Sequence, residues 1–148
     1  MQIKKNILKK NLTGFTFIEL LVAVAIIAVL SSIILFTIIQ YIDRGKDANI
    51  KGNLAVLVSS GEVYYNANQR VNGTGYSGYC DSSVVETAKN EIPKHSGSVG
   101  IYCSDGESEW AACAQLFVDD GYAFCVDSRG VKKEIDNSQC VSGLAQCP

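Results

Sequence analysis

The clearest feature of the chain is an apolar run near its N-terminus, where residues 20–42 form 23 consecutive residues without a charged side chain. As an α-helix, such a run is about 35 Å long. That is enough to cross a hydrocarbon core of about 30 Å with some tilt. A core helix in so small a chain would normally keep a polar face. The run therefore predicts a membrane-spanning helix.

After this run, small and apolar residues recur at spacings of three and four, which is the period of a helix with one apolar face. They are Ile50, Leu54, Leu57, Val58, Gly61 and Tyr65. We therefore predict one helix over residues 17–66. The chain then divides into a membrane half at residues 15–42, an amphipathic half at residues 43–66 and a separate segment at residues 67–148.

The last of these segments combines loop, helix and strand patterns. Residues 66–78 are rich in Asn, Gly and Tyr, which is typical of a loop. Ser83 and Glu86 have the spacing of a capping box, which predicts a short helix over residues 83–90. Four β-prone runs follow, at residues 98–103, 110–117, 122–127 and 131–135.

These runs predict an antiparallel meander of three or four strands. Asp120-Gly121 lies between the second and third runs and is a hairpin signal. Packing the apolar face of this sheet on the helical stripe would cover both surfaces. The predicted fold class is α+β, with a long N-terminal helix packed on a small C-terminal antiparallel β-sheet.

The charges on either side of the apolar run predict its orientation. Four lysines precede it, at positions 4, 5, 9 and 10, whereas basic and acidic residues nearly balance after it. Because basic loops stay on the cytoplasmic side, we expect a cytoplasmic N-terminus. The C-terminal domain is then extracytoplasmic.

All six cysteines lie on this outer side, where oxidising conditions favour disulfide bonds. They are Cys80, Cys103, Cys113, Cys125, Cys140 and Cys147. Among the fifteen possible pairings, we favour three: Cys80–Cys103, Cys113–Cys125 across the hairpin, and Cys140–Cys147 in the tail. There is no Cys-x-x-Cys motif and His95 stands alone, so neither a zinc site nor redox chemistry is predicted.

The segment Gly14-Phe15-Thr16-Phe17-Ile18-Glu19 joins the lysines to the apolar run. An ordinary secretory signal is cut after an apolar region of about 7–15 residues. This run is longer, and charges instead of a small-x-small cleavage site follow it. Gly14 offers a site before the run. The junction resembles the class III signal of type IV prepilins and pseudopilins.

The resemblance implies how the chain is processed and assembled. In that family, a prepilin peptidase cleaves after the glycine and methylates the new N-terminus. Residues 1–14 would thus be a leader, and Gly14 and Phe15 would form the processing site. The apolar helix would remain and polymerise with identical or related pilin subunits at an inner-membrane assembly platform.

Glu19 lies at the start of the apolar run, where an ionisable side chain usually has a function. One interpretation is a carboxylate in the headgroup region, stabilised by the positive end of the helix dipole. The other is an ion pair with the free amine of Phe15 in a neighbouring subunit. The resemblance gives Glu19 this second, assembly role.

Other chemistry has little support in the sequence. Four aspartates, Asp119, Asp120, Asp127 and Asp136, could offer oxygen ligands to calcium, but they lack EF-hand spacing and suit turns. No catalytic or phosphate-binding motif is found, so we predict no enzyme activity, cofactor or metal. Without residues 1–14, nine basic and fifteen acidic side chains give a formal charge of −6, which does not favour nucleic acid.

Two functions fit these predictions. The first is a structural subunit of a type IV pilus or a type II secretion-like pseudopilus, held in membrane lipid before assembly and in an extracellular or periplasmic filament afterwards. The second is a monomeric, membrane-anchored extracytoplasmic binding module with a prepilin-like leader. Glu19 separates them, because only the polymer needs a charge at that position.

Overall fold

A computed structural model describes residues 14–71 and 73–148, without the side chain of Phe36. The lysines predicted to precede the membrane lie outside the described residues. Contacts divide the chain into two units, Met1–Ile38 and Ile39–Pro148. The boundary therefore falls inside the first helix.

One long helix is followed by a short helix and four strands. These elements are α1 (Phe17–Val71), α2 (Ser83–Glu91), β1 (Tyr102–Asp105), β2 (Trp110–Gln115), β3 (Tyr122–Asp127) and β4 (Lys132–Asp136), with 3₁₀ turns at Tyr79–Asp81 and Asn137–Gln139. The strands form one antiparallel sheet in the order β1-β2-β3-β4. The predicted α+β class, with a long N-terminal helix and a small antiparallel sheet, is confirmed.

The first unit consists of the apolar part of α1. Its large apolar side chains are exposed, and none of its most apolar window is buried in the structure. The hydroxyls of Ser32 and Thr37 donate hydrogen bonds to the carbonyl oxygens of Val29 and Ile34, at 2.7 and 2.9 Å. In a bilayer, such internal bonds would satisfy the two hydroxyls without water. This part of α1 is therefore compatible with a single-pass membrane anchor.

The second unit is built around the amphipathic part of α1. Ile50, Leu54 and Leu57 are fully buried, and they belong to one core with helix-facing residues of the sheet, Trp110, Ala112, Ala114 and Val126. Full burial of each large aliphatic side chain contributes about 1.5–3 kcal/mol. Gly61 lies against the indole of Trp110, and a Cβ there would meet Nε1 at 2.8 Å. The glycine permits this close approach.

The opposite face of the sheet is also covered. A second cluster contains Cys113, Ala123, Cys125, Ile135, Cys140 and Cys147, so the C-terminal tail packs on the side of the sheet that faces away from α1. Strand β2 is consequently buried along nearly its whole length. The sequence predicted two layers, and the tail adds a third.

Three disulfide bonds join Cys80 to Cys103, Cys113 to Cys140, and Cys125 to Cys147. The first pair was predicted correctly. The predicted pairs Cys113–Cys125 and Cys140–Cys147 are wrong. Both strand cysteines point into the cluster under the tail, where each meets a different tail cysteine instead of its neighbour.

Several element boundaries also differ from the prediction. Helix α1 continues past residue 66 to Val71 and ends before Gly73, whose φ is 70° and whose N–H donates to the Asn68 carbonyl at 3.1 Å. The capping box predicted for Ser83 and Glu86 does not form. The N-cap of α2 is Ser82, without a side-chain cap bond, and Glu86 instead pairs with Lys89 at 2.9 Å.

Candidate processing and assembly site

The residues before α1 form an exposed, non-helical segment. Gly14, Phe15 and Thr16 all precede the first helical residue, Phe17, and the Phe15 side chain is 78% exposed. A Cβ added at Gly14 would meet nothing within 4 Å. The peptide bond between Gly14 and Phe15 is thus accessible, and the fold of this chain does not itself require a glycine there.

Thr16 and Glu19 form a reciprocal cap at the start of α1. The Thr16 backbone N–H and its hydroxyl both donate to Glu19 Oε2, each at 2.9 Å. In return, the Glu19 N–H donates to Thr16 Oγ1 at 3.3 Å. This is a capping box. Its Thr-x-x-Glu spacing is readable in the sequence, but only the charge of Glu19 was recognised there.

The two oxygens of the Glu19 carboxylate are used differently. Both bonds from Thr16 end on Oε2, and Oε1 accepts no hydrogen bond from residues 14–71 or 73–148. An ionised carboxylate has about four acceptor positions. Glu19 can therefore cap its own helix and still accept a second donor, such as an ammonium group, at Oε1.

The electrostatic setting of Glu19 is unusual, because no other charged residue occurs in α1 before Asp43. The apolar side chains around it are uncovered by the described parts of the chain. In a bilayer or in a bundle of such helices, a carboxylate without a cationic partner is costly. The site therefore combines an exposed, non-helical segment, a capped helix start and a single carboxylate without a cationic partner in the described residues.

The prokaryotic N-terminal methylation motif matches residues 9–35. This chain carries the class III signal of type IV prepilin-like proteins. The match covers Gly14, Phe15 and Glu19 as well as most of the apolar helix. The motif is that of structural, pilin-like proteins, which are processed by prepilin peptidase and assemble with other pilin subunits. No curated protein and no solved structure matches the chain.

The other residues singled out in the sequence have structural partners. His95 stacks on the Phe117 ring, with centroids 3.9 Å apart, and its Nε2 lies 3.0 Å from the Leu116 carbonyl oxygen. Asp119 and Asp136 accept N–H bonds from residues two positions later, which is typical of turns. Within the described ranges, no group of three or more His, Cys, Asp or Glu side chains could hold a metal ion.

Asp127 has a larger structural role than the sequence indicated. It is fully buried, and its carboxylate accepts hydrogen bonds from the Arg129 guanidinium at 2.6 and 3.0 Å. It also accepts the backbone N–H groups of Arg129, Val131 and Cys147. The carboxylate thus holds the β3–β4 turn and the C-terminal tail together.

Proposed function

We propose that this chain is a structural subunit of a type IV pilus or a type II secretion-like pseudopilus. Prepilin peptidase cleaves after Gly14 and methylates Phe15. The mature chain then polymerises through the apolar part of α1. The observation that carries the proposal is Glu19, the one charge near the start of an uncovered apolar helix, with Oε2 engaged in its own cap and Oε1 open.

Cleavage supplies the missing partner. Removal of residues 1–14 creates an ammonium group at Phe15, four positions before Glu19 in the same chain. Each subunit then offers one ammonium and one carboxylate. When the ammonium of one subunit pairs with Oε1 of the next, neither charge is left without a partner in the apolar bundle. Because this contact is head-to-tail, it repeats from subunit to subunit and gives an open helical polymer.

The decisive variant is Glu19→Gln. A glutamine at this position can still complete a capping box, but it has no charge with which to pair an ammonium. We expect Glu19→Gln and Glu19→Ala to be cleaved and inserted into the membrane, yet to yield no sheared filaments. Thr16→Val is the matched control, because it removes the capping hydroxyl, keeps the charge and should still assemble.

The opposite pattern would show that Glu19 only caps the helix. If Glu19→Gln assembles and Thr16→Val does not, the pairing role is wrong. Processing is tested separately by the intact mass of the mature protein, which should begin at a methylated Phe15. A wild-type protein that is processed but always monomeric would favour the membrane-anchored binding module instead.

A further inference from the structure

The tip of the β2–β3 hairpin, residues 116–121, is fixed to α1 just beyond the apolar run. The buried carboxylate of Asp47 accepts the Phe117 N–H at Oδ1, at 2.6 Å, and the Val118 N–H at Oδ2, at 3.2 Å. Hydrogen bonds to a charged acceptor are stronger than those between neutral groups. The hairpin tip is therefore held at one position along the helix.

Two further contacts steady the hairpin tip. The Lys46 ammonium lies 4.3 Å from the centre of the Phe117 ring, and the His95 ring stacks on the same phenyl group. His95 Nε2 must donate to the Leu116 oxygen, because a carbonyl can only accept. Next to these fixed residues, Val118 remains 57% exposed. Val118 is thus an exposed apolar side chain on a turn that is anchored to α1.

The hairpin tip reaches back to the level at which the apolar run ends. Val118 lines a recess of about 230 Å³ together with Gln40, Asp43 and Arg44. Gln40 precedes Ile42, the last residue of the uncharged run. Along a helix, Gln40 to Asp47 spans only about 10 Å. If α1 is embedded as far as Ile42, the hairpin tip lies at the depth of the headgroups.

The side chains at this level suit a zwitterionic surface. Tyr41 is 69% exposed, and tyrosine is enriched at membrane interfaces. Arg44 is exposed and forms no ion pair in the part of the chain that the structure describes. Its guanidinium is suited to a lipid phosphate, whereas the exposed carboxylates of Asp119 and Asp120 are suited to the lipid ammonium and would repel an anionic surface.

We propose that the hairpin tip rests on the outer headgroup layer of zwitterionic phospholipid while the subunit is a membrane monomer. This inference rests on the proposed membrane span and adds a second contact between the chain and the membrane.

Tryptophan fluorescence tests the contact, because the only native tryptophan, Trp110, is fully buried. Three variants add a surface reporter: Val118→Trp at the hairpin tip, Ile39→Trp in the apolar run, and Val63→Trp farther along α1. Val63 is 71% exposed and lies about 30 Å beyond Ile42 along the helix. Each full-length protein is reconstituted in phosphatidylcholine–phosphatidylethanolamine vesicles, with and without lipids that carry a spin-label quencher near the headgroup.

We expect quenching and a shift to shorter wavelength for Val118→Trp and Ile39→Trp, and no change for Val63→Trp or wild type. If Ile39→Trp is quenched and Val118→Trp is not, the inference is overturned and the membrane span stands. Absence of quenching at Ile39→Trp would instead overturn the span itself. Equal quenching of Val118→Trp and Val63→Trp would indicate general adsorption and would also overturn the inference. If Val118→Trp does not fold, Asp120→Trp reports on the same hairpin tip.

Discussion

Cys113 and Cys125 lie directly opposite each other on neighbouring strands, yet each is bonded to a different cysteine of the C-terminal tail. The tail is consequently tied to both central strands, β2 and β3. The two bridges join residues 27 and 22 positions apart. Bridges that close loops of this size contribute about 2–4 kcal/mol each.

This connectivity predicts which thiol is released when one tail cysteine is replaced. In Cys140→Ser, alkylation under denaturing, non-reducing conditions should label Cys113, and peptide mass spectrometry can locate the label. The pairing predicted from the sequence would instead leave Cys147 free. Wild type, in which the structure shows no free cysteine, should take up no label.

The stability of the unit Ile39–Pro148 should fall in acid because of Asp127. Burial opposes ionisation of this carboxyl, but the Arg129 guanidinium and the amides of Cys147 and Val131 outweigh that effect, so the pKa is lowered. A pKa that is lower in the folded state contributes stability above the unfolded value of about 3.9. That contribution is lost as the pH falls through the folded value.

Melting temperatures measured from pH 7 down to pH 2 should therefore fall more steeply for wild type than for Asp127→Asn. At pH 7 the variant should be the less stable protein, by at least about 2 kcal/mol, because a charged acceptor of several hydrogen bonds is lost. Asp120→Asn, at an exposed site, removes the same charge and should keep the acid profile of wild type. Parallel profiles for all three proteins would contradict the role assigned to Asp127.

Two glycines of α1 should respond in opposite ways to alanine. At Gly61 the new methyl group would press on the buried Trp110 ring, and such overpacking costs about 1–3 kcal/mol. At Gly52 nothing lies within 4 Å, so alanine should stabilise the helix by up to about 1 kcal/mol. Urea unfolding of the two variants provides the measurement. Equal effects would mean that the contact with Trp110 is not tight.

Removing the anchor of the hairpin tip should cost more stability than removing a surface ion pair on the neighbouring turn of α1. Asp47→Ala leaves the Phe117 and Val118 amides without their acceptor, which should cost about 1–3 kcal/mol. Asp43→Ala removes only the pair with Lys46, which is worth about 0.2–0.5 kcal/mol. Hydrogen exchange at the two amides should accelerate in the first variant alone. Unchanged exchange there would show that Asp47 is dispensable.

Replacing Gly14 should block processing without affecting the fold. Because no described atom lies near its Cβ position, Gly14→Val should retain the disulfide bonds and melting temperature of the wild-type precursor. In the presence of prepilin peptidase, we expect it to stay uncleaved. If Gly14→Val changes the stability of the precursor, the fold of the chain itself requires the glycine. If the variant is cleaved normally, Gly14 is not needed for processing.

Much of the architecture was predictable because it depends on local patterns. The uncharged run and the three–four spacing of Ile50, Leu54 and Leu57 define α1, and β-prone residues define β3 at Tyr122–Asp127. The end of α1 was harder to predict. Residues 67–71 continue the helix until Gly73 takes a positive φ, and polar residues such as Asn68, Gln69 and Arg70 also occur in loops.

The features that could not be predicted from the sequence depend on contacts between residues that are distant in the chain. Fifteen cysteine pairings are compatible with the same spacing, and strand register alone favoured the wrong one. The role of Asp127 requires Cys147 to lie beside it, although they are 20 residues apart. At the candidate site, the charge of Glu19 was enough to predict its importance. The structure was needed to show that Thr16 binds only Oε2 and leaves Oε1 open.

The tail that covers the second face of the sheet is synthesised last. Cys140 and Cys147 follow all four strands in the chain, so β1 to β4 are synthesised before the residues that cover their second face. Until disulfide bonds join the tail to β2 and β3, no covalent bond holds it over the apolar side chains Ala123 and Ile135. A chain in which this second face of the sheet is still exposed is prone to aggregate.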